Sequence, residues 1–573
     1  MKDKADSAQF GNEKEIEDGL YMSDFQGISR DINVNKNVKN SASLMLCLIV
    51  LNFINQSFYK RFDLTQDKRY TLSETTNSVL SKINKRLYIT VYLEGDFPSE
   101  FKRLQVETRQ YLEELSAENT NIKINFEAPD EQREELIKRG MLPSKLTVEE
   151  AGKLSEAIIF PWAEISFEKK STLVSLLPNT IVASQDEQLQ KAIENLEYSF
   201  SNAINSITQK KQKRIAVLTG NGELQDIYQY SFLSEVAKKY RLAKFTLDSV
   251  SENPQQTLKD LNSLDLAIIA KPTEKFTAKE KFTLDQFITN GGKTLWMIDN
   301  VQADLDSLMA NGKMLAYPRD LNLTDLLFTY GVRINTTLIK DLYAAKIPLA
   351  TGNIGNQPQF QNLEWLYHPL VRGNKNHAIT KNISPVRLQF ASPIDTLRNN
   401  INKIPLLVSS LLTQKIGTPN FIELTSIADK IIETDYQSGN QLFAVLLEGN
   451  FNSAYKNRVK PFQTNFYKEQ ATNNKMIVIA DGDIGKNQTL KEQPFDLNKD
   501  KWTGQQFGNK DFLLNAVDYL LDDTGIIHLR NKTLQINLLD KQKTSKERLF
   551  WQFLNQKTAK TAKKNCQNPN RLI

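Results

Sequence analysis

Acidic residues follow several predicted strands of this 573-residue chain. Glu223, Asp299, Asp481 and Asp483 each come directly or shortly after a run of apolar, strand-like sequence. The carboxyl ends of parallel strands meet at one edge of an open α/β sheet. These carboxylates are therefore candidates to bind a sugar hydroxyl, an amine or a cation there. Asp and Gly after a strand are also common turn and helix-cap residues, so a purely structural interpretation stays open.

Two glycines, Gly220 and Gly222, follow the predicted strand 214–218 and are typical of a loop that binds a dinucleotide. The third glycine of that motif belongs at position 225, where this chain has Gln225. A side chain there prevents the close approach of a helix to a phosphate, which favours a structural turn. Both glycines join the four carboxylates as candidate ligand-binding residues.

No complete motif for catalysis, a cofactor or a metal ion occurs in the sequence. The Gly-Lys-Thr sequence at 292–294 matches the end of a P-loop, but Phe287 replaces its first glycine and a strand follows where a helix is needed. Cys47 and Cys566 lie near opposite ends of the chain, and no nucleophile elbow, zinc motif or EF-hand is present. We therefore expect a protein that is not an enzyme and uses no cofactor or metal. The alternatives are a hydrolase or amidotransferase-like enzyme acting in an acidic crevice, and a purely structural scaffold.

An apolar run at 42–58, ASLMLCLIVLNFINQSF, is a candidate membrane segment. It is short, because about 20 apolar residues normally cross the hydrocarbon. A polar tail at 1–41 precedes it, and no pair of small residues suited to cleavage follows it. An uncleaved anchor helix is therefore favoured over a signal-peptide core or a buried helix.

The net charge of +6 comes from the C-terminal residues 541–573, which carry nine Lys and Arg and one Glu. The rest of the chain is close to neutral. A basic tail on a near-neutral body argues against a nucleic-acid partner.

Alternating strand and helix patterns predict a small first α/β domain. Strand-like sequence at Leu87–Leu93 and Ile122–Phe126 brackets a helical pattern at Phe101–Leu115. Further strands at Ala157–Phe167 and Ser171–Leu177 extend this unit. A helix capped by Ser73 precedes it, and a long amphipathic helix over 187–207 follows it.

The next domain has strands with little alternation, at 214–218, 243–247, 264–270 and 294–299, separated by helical stretches. This pattern predicts a doubly wound parallel sheet covered on both faces. A strand at 475–480 and a helix at 511–521 return to that sheet. Residues from about 300 to 472 are then an insertion with short strands near 404–411 and 443–447. The predicted division of the chain is a tail (1–41), an anchor (42–58), an N-terminal α/β domain (59–186), a connecting helix and hinge (187–212), a large α/β domain (213–525) and a C-terminal segment with a basic tail (526–573).

Short segments spread in order along residues 44–555 resemble the GldG family of gliding-motility-associated ABC transporter auxiliary components. Single segments are weak signals, but their order and spacing are specific. The segments are Arg61–Thr65, Arg69–Ser73, Leu93–Asp96, Asn195–Tyr198, Leu218–Leu224, Ile269–Thr273, Asp285–Gln286, Gly291–Lys293 and Ile479–Asp483.

This resemblance implies a substrate-binding-like subunit that works with a permease subunit and a separate ATPase subunit in gliding motility and protein secretion. It implies an inner-membrane protein whose bulk faces the periplasm. It also implies that the large domain is Rossmann-like and glutamine-amidotransferase-like, with a glycoside or an envelope protein as ligand. Family members end in a second membrane span, whereas this chain continues into the sequence QKTAKTAKKNCQNPNRLI.

Overall fold

The computed structural model describes residues 43–47, 71–95, 97, 99–150, 153–177, 185–209, 212–355, 357–533, 543, 546–548 and 550–555. The chain forms two compact units, Met1–Gln66 and Asp67–Ile573. In the first unit only residues 43–47 are described, and they are helical. Most of the predicted anchor at 42–58, the polar tail at 1–41 and the basic residues 556–573 lie outside the described residues. No described helix has the length and apolar character that a membrane crossing requires.

The N-terminal part of the second unit is built on a four-stranded sheet in the order β2-β1-β5-β6. Strands β1 and β2 pair in parallel, as the strand-helix-strand pattern predicts, and β5 and β6 add in antiparallel fashion. The elements are α1 (Glu74–Leu80), β1 (Leu87–Val91), α2 (Ser99–Glu118), β2 (Ile122–Phe126), α3 (Arg133–Lys138), β3 (Ser144–Glu150), β4 (Lys153–Ile159), β5 (Trp162–Phe167) and β6 (Lys170–Ser175).

One strand prediction in this region is wrong in detail. The expected strand 157–167 is divided at Pro161 into β4, which pairs with β3 in a separate hairpin, and β5. Proline has no N–H to donate to a ladder, so it ends a strand that the apolar pattern alone would continue. The Ser73 cap of α1 is present, since its side chain accepts a hydrogen bond from the Thr76 N–H at 3.1 Å.

The long amphipathic helix is α4 (Gln185–Thr208). Its apolar stripe is buried and packs on α2 and on the 3-10 helix Ile526–Asn531. Tyr111 of α2 and Phe200 of α4 lie 5.8 Å apart between ring centroids. The stripe is therefore a packing surface inside the second unit.

Among the described residues, the largest sheet has ten strands. Five of them are parallel, in the order β8 (Arg241–Thr246), β7 (Arg214–Thr219), β9 (Leu266–Ala270), β10 (Lys293–Met297) and β23 (Gln470–Ile479). All five residues of β9 are buried, which explains the lack of alternation in its sequence. The elements of this half are β7 (Arg214–Thr219), α5 (Asp226–Lys239), β8 (Arg241–Thr246), α6 (Pro254–Leu261), β9 (Leu266–Ala270), α7 (Ala278–Thr289), β10 (Lys293–Met297), β23 (Gln470–Ile479) and α10 (Asn509–Leu521).

Helices cover both faces of these parallel strands. Phe232 of α5 and Phe512 of α10 share a hydrophobic core with one set of strand side chains. Leu261 of α6 and Phe287 of α7 share a second core with the alternate set. Because both faces are buried in this way, the strand ends are the part of the sheet left to form a site.

Antiparallel strands from the region expected to be an insertion extend the predicted parallel sheet. The strands expected near 404–411 and 443–447 are β19 (Asn402–Val408) and β22 (Leu442–Asn452), and both continue the large sheet in antiparallel fashion. The sheet runs on through β16 (Gln357–Gly373), with β17 (Val386–Arg387) beside it, to the edge strand β15 (Ala344–Ile354). Residues Phe443–Leu447 are buried on both faces, so β22 belongs in the middle of a sheet.

Shorter elements complete this part of the chain. They form one three-stranded sheet, β11-β12-β21, and the pairs β13-β18, β14-β20 and β24-β25. The elements are β11 (Val301–Gln302), α8 (Leu305–Asn311), β12 (Lys313–Pro318), α9 (Thr324–Thr329), β13 (Val332–Ile334), β14 (Thr337–Asp341), β18 (Ile394–Thr396), β20 (Thr413–Gly417), β21 (Asn420–Glu423), β24 (Thr489–Leu490) and β25 (Gln493–Pro494).

Candidate functional site

Three of the predicted site residues meet at the carboxyl edge of the parallel strands. Asp299 follows β10, and Asp481 and Asp483 follow β23, the neighbouring strand in the sheet. One carboxylate oxygen from each aspartate lies within 4.8 Å of one from each of the other two, and all three side chains are buried. The pairing of Met297 with Ile479 brings the two strand ends level, which explains why the acids converge.

Lys271, which sequence reasoning did not single out, completes this group. It follows β9 directly, and its ammonium nitrogen lies 2.6 Å from Oδ2 of Asp483 and 3.5 Å from Oδ2 of Asp299. Its backbone has a positive φ of 53°, rare for a residue with a side chain, while its N–H donates to the Met297 carbonyl at 2.8 Å. We call Lys271, Asp299, Asp481 and Asp483 the lysine–aspartate cluster. The sequence carries one signal for Lys271, which is its position immediately after a buried strand.

Backbone amides hold the carboxylates in place. The N–H of Gly482 donates to Oδ1 of Asp299 at 2.5 Å, and the N–H of Asp483 donates to Oδ1 of Asp481 at 2.7 Å. The N–H of Gln389 donates to Oδ2 of Asp481 at 2.6 Å. Three separate chain segments are thereby fixed to one another through aspartate side chains.

Gly482 has no room for a side chain. A Cβ at this position would lie 2.6 Å from Cγ of Lys271 and 2.9 Å from Oδ2 of Asp299. The lysine stem thus passes directly over the glycine on its way to the carboxylates. The Asp-Gly-Asp sequence at 481–483 therefore serves packing as well as charge placement.

Burial and the repulsion between neighbouring carboxylates raise the pKa of two of the three aspartates. Burial, opposed by Lys271 and reinforced by Asp483, raises the pKa of Asp299 to about 6. Burial and the charges of Asp299 and Asp483 raise the pKa of Asp481 well above its usual range. Burial alone would lower the pKa of Lys271, but Asp483 and Asp299 together raise it above the ordinary lysine value. The lysine stays charged, and the cluster favours a proton on one of its acids.

The cluster is closed rather than open to a ligand. Lys271 is 8% exposed and none of the three aspartates is more exposed than that. Three carboxylates would suit a hard divalent cation, but the lysine ammonium already lies between two of them. A second lysine, Lys486, reaches to 3.9 Å from the other carboxylate oxygen of Asp483. The arrangement is that of an internally neutralised charge group, which stabilises the junction of three strands.

The other predicted site residues, Gly220, Gly222 and Glu223, form a separate turn after β7. Gly222 has a φ of 72°, and a Cβ there would lie 2.0 Å from Oγ1 of Thr273. The Asn221 carbonyl accepts hydrogen bonds from the N–H groups of Thr273 and Glu274 at 2.9 and 3.0 Å. The turn is thus packed against the loop after β9, with its glycines required by backbone conformation and space.

Glu223 lies in this turn and not in the lysine–aspartate cluster. Its Oε2 accepts a hydrogen bond from the Asn221 N–H at 2.7 Å. Burial raises the pKa of Glu223, and the acidic groups that add to the effect are Asp248 and Glu274. The structure therefore divides the six predicted site residues into two groups of three.

Comparisons with known proteins define the class of the chain. It belongs to a protein family described as an ABC-type uncharacterized transport system, whose sequence model matches residues 212–516. A domain family of unknown function matches residues 66–166. The family match spans the five parallel strands and both groups of candidate residues. The chain is accordingly an auxiliary component of an ABC transport system, as the resemblance of its short segments implies.

The individual proteins that the chain is similar to share less than a quarter of their aligned residues with it. An uncharacterized protein of Borreliella burgdorferi is 24% identical over 439 residues, which cover 74% of this chain and 80% of that protein. Among solved structures, the N-terminal domain of mmIFT52 is 14% identical, with a TM-score of 0.30. That comparison covers 57% of this chain and all of the domain.

Proposed function

We propose that this chain is a membrane-anchored, extracytoplasmic accessory subunit that works beside a permease subunit and a separate ATPase subunit. The observation that carries the proposal is the family match over residues 212–516, which takes in the whole lysine–aspartate cluster and its supporting strands. In this proposal the large domain is Rossmann-like. It presents a rigid surface to a ligand or a neighbouring envelope protein, while ATP is hydrolysed on another chain.

The closed cluster supports a non-enzymatic role. An acid or base catalyst must reach its substrate within hydrogen-bond distance, whereas these aspartates are buried and held by Lys271 and backbone amides. Charges paired in this way stabilise one arrangement of the strands, which suits a subunit that transmits force or position. The enzyme alternative would need the lysine to leave the cluster first.

Co-purification from native membranes tests the assembly. A tagged full-length chain, extracted in mild detergent, is expected to retain a multi-span permease and an ATPase in fixed ratio. The isosteric variant Asp483→Asn separates the alternatives, with Asp435→Asn as an exposed control. The proposal predicts that assembly and cellular function of Asp483→Asn change together. Full assembly with complete loss of function would favour the enzyme, and recovery of the chain alone in every preparation would refute the transporter role.

The finer parts of the proposal are gliding motility, protein secretion and periplasmic location, and each rests on the resemblance to the GldG family. A deletion strain is expected to lose surface gliding and to retain some normally secreted proteins. Protease added to intact spheroplasts is expected to remove the large domain. A chain fully protected from protease, or a deletion strain that glides normally, would contradict the corresponding part.

A further inference from the structure

An open cleft lies beside the antiparallel half of the large sheet, and it is separate from the closed lysine–aspartate cluster. Its volume is about 350 Å³, and none of its lining residues belongs to that cluster. It lies between the hairpin of β15 and β16, strand β14 and the segment 426–431. Charged and apolar side chains line the cleft, among them Lys340, Lys346, Glu364, Trp365, Ile427 and Asp429.

The wall of the cleft contains a buried donor without an acceptor. Trp365 is 2% exposed, and its indole Nε1–H has no hydrogen-bond partner among the residues that the structure describes. A buried donor left unpaired costs about 1–3 kcal/mol. The same side chain belongs to a hydrophobic cluster with Tyr367 and Leu338, so it supplies an apolar surface as well.

The cleft also contains a cation without a counter-ion. Lys340 is half-buried, and within the described part of the chain it forms no ion pair with a carboxylate. Its ammonium lies 5.1 Å from the centre of the Tyr367 ring. Burial lowers the pKa of Lys340, with Asp429 opposing the effect. Lys271 and Lys239 are paired with aspartates, whereas half-buried Lys293 and Lys475 donate to backbone carbonyls.

We propose that this cleft binds a small organic anion with an apolar body, such as a short-chain or aromatic carboxylate. The anion would lie against the Lys340 ammonium, and the apolar body would pack on Trp365 and Ile427. A volume of about 350 Å³ lies in the range of small-molecule pockets, about 300–1,000 Å³, and excludes a folded partner.

The charges around the cleft define the ligand further. Lys346 adds a second positive charge, while Glu364 and Asp429 contribute exposed negative charges at the rim. Exposed charges are screened by salt, whereas a half-buried lysine is screened much less. Because two lysines and two acidic residues line the cleft, a ligand with a single anionic group is favoured over a polyanion such as a nucleotide. The inference concerns ligand binding alone and is independent of assembly with a permease.

Paired ligands that differ only in charge test the inference. Phenylpropionate and phenylpropanol share an apolar body, and titration calorimetry on the full-length protein in one detergent compares them directly. Charge-assisted hydrogen bonds account for a preference of about tenfold or more for the carboxylate. Lys340→Met is expected to reduce phenylpropionate binding to the level of phenylpropanol. Lys102→Met, an exposed lysine in the N-terminal part, is the matched control and should keep the preference.

Several results would overturn the inference. They are equal affinity for the two ligands in the wild type, binding of neither ligand, or an unchanged preference in Lys340→Met. Thermal unfolding checks that the variant is folded, and Lys340→Gln replaces it if it is not. Trp365→Phe removes part of the apolar wall, so it should weaken the binding of phenylpropionate and of phenylpropanol alike. Co-purification of a permease with Lys340→Met would remain normal, which distinguishes this inference from the transporter proposal.

Discussion

Replacing Lys271 by Met is expected to destabilise the protein strongly. The substitution keeps the unbranched stem that passes over Gly482 but removes the ammonium 2.6 Å from Asp483 and 3.5 Å from Asp299. Lys486, at 3.9 Å from Asp483, is too far away to replace it. The three carboxylates would then share a buried space in which the longer contact from Lys486 is the cation contact that remains.

Removing one member of a buried ion pair costs about 3–5 kcal/mol, since the remaining charge keeps its desolvation penalty. The expected loss in the free energy of unfolding is therefore of that size near neutral pH. A double variant, Lys271→Met with Asp483→Asn, removes both partners and should recover part of the loss, as expected for two residues that contact each other. Lys275→Met is the control, because its ion pair with Asp320 leaves the two side chains 67% and 65% exposed. A surface pair of this kind contributes about 0–1 kcal/mol.

The pH dependence has a definite sign. The pKa of Asp299 is raised to about 6 in the folded protein, while an unfolded aspartate has a pKa of about 3.9. An aspartate whose pKa is raised by folding binds more protons in the folded state than in the unfolded state. Its contribution to the free energy of unfolding is therefore fully present below the unfolded pKa and is lost as the pH rises through about 6. That loss is about 3 kcal/mol. Without the lysine the pKa of Asp299 rises further, so the deficit of Lys271→Met should be largest above neutral pH and smaller in acid.

Denaturant unfolding of the wild type, Lys271→Met and Lys275→Met at about pH 5 and about pH 8 measures this effect. Lys271→Met is expected to lose clearly more stability than Lys275→Met at the higher pH, and the difference should be smaller at the lower pH. Equal midpoints for the two lysine variants at both pH values would refute the claim that this ammonium neutralises the cluster. A deficit that grows in acid would refute the assignment of the raised pKa to Asp299.

Two further variants test the packing around these charges. Gly482→Ala brings a Cβ to 2.6 Å from the Cγ of Lys271 and should cost about 1–3 kcal/mol in unfolding measurements. Gly417→Ala, where nothing lies within 4 Å, should cost little, and equal costs would contradict the clash. Glu197→Gln should expose the α1 amides to hydrogen exchange, because Glu197 accepts hydrogen bonds from the Ser73 N–H and the Thr76 hydroxyl at the start of α1. Burial would raise the pKa of Glu197, but Lys532 lowers it below its usual value. Its contribution, about 1.5–3 kcal/mol, is present above the unfolded pKa and lost as the pH falls, so wild type and variant should converge in acid. An exchange difference that persists in acid would contradict this.

Much of the large sheet follows from local sequence. Runs of consecutive apolar residues such as Leu266–Ala270 predict buried parallel strands, and all five residues of that run are buried. The amphipathic spacing of α4 and the Ser73 cap of α1 are equally local signals. Sequence reasoning did not foresee the long hairpin of β15 and β16, because its 11 and 17 residues mix polar and apolar positions without a clear period. Its pairing depends on contacts with the rest of the sheet.

The candidate site was predicted only in part for a similar reason. An aspartate after a strand is a familiar signal, so Asp299, Asp481 and Asp483 were found. Lys271 lies 212 residues before Asp483 in the chain, and its approach depends on a positive φ that lysine rarely adopts. No local pattern encodes either feature. The position of Lys271 after a buried strand is a local signal, but its pairing with the aspartates becomes apparent only in the folded molecule.

The position of the lysine–aspartate cluster bears on where the proposed ligand would bind. In open α/β sheets the crevice beyond the carboxyl ends of the parallel strands is the usual binding place. Here Lys271 and three aspartates fill that place, and a ligand would have to break a buried ion pair to enter. The cleft at Lys340 and Trp365 lies beside the antiparallel strands that extend the sheet, and Lys340 has no carboxylate ion pair among the residues that the structure describes. Because unpaired groups gain the most from a ligand, binding specificity is expected to reside in the antiparallel extension, with the parallel half acting as its rigid support.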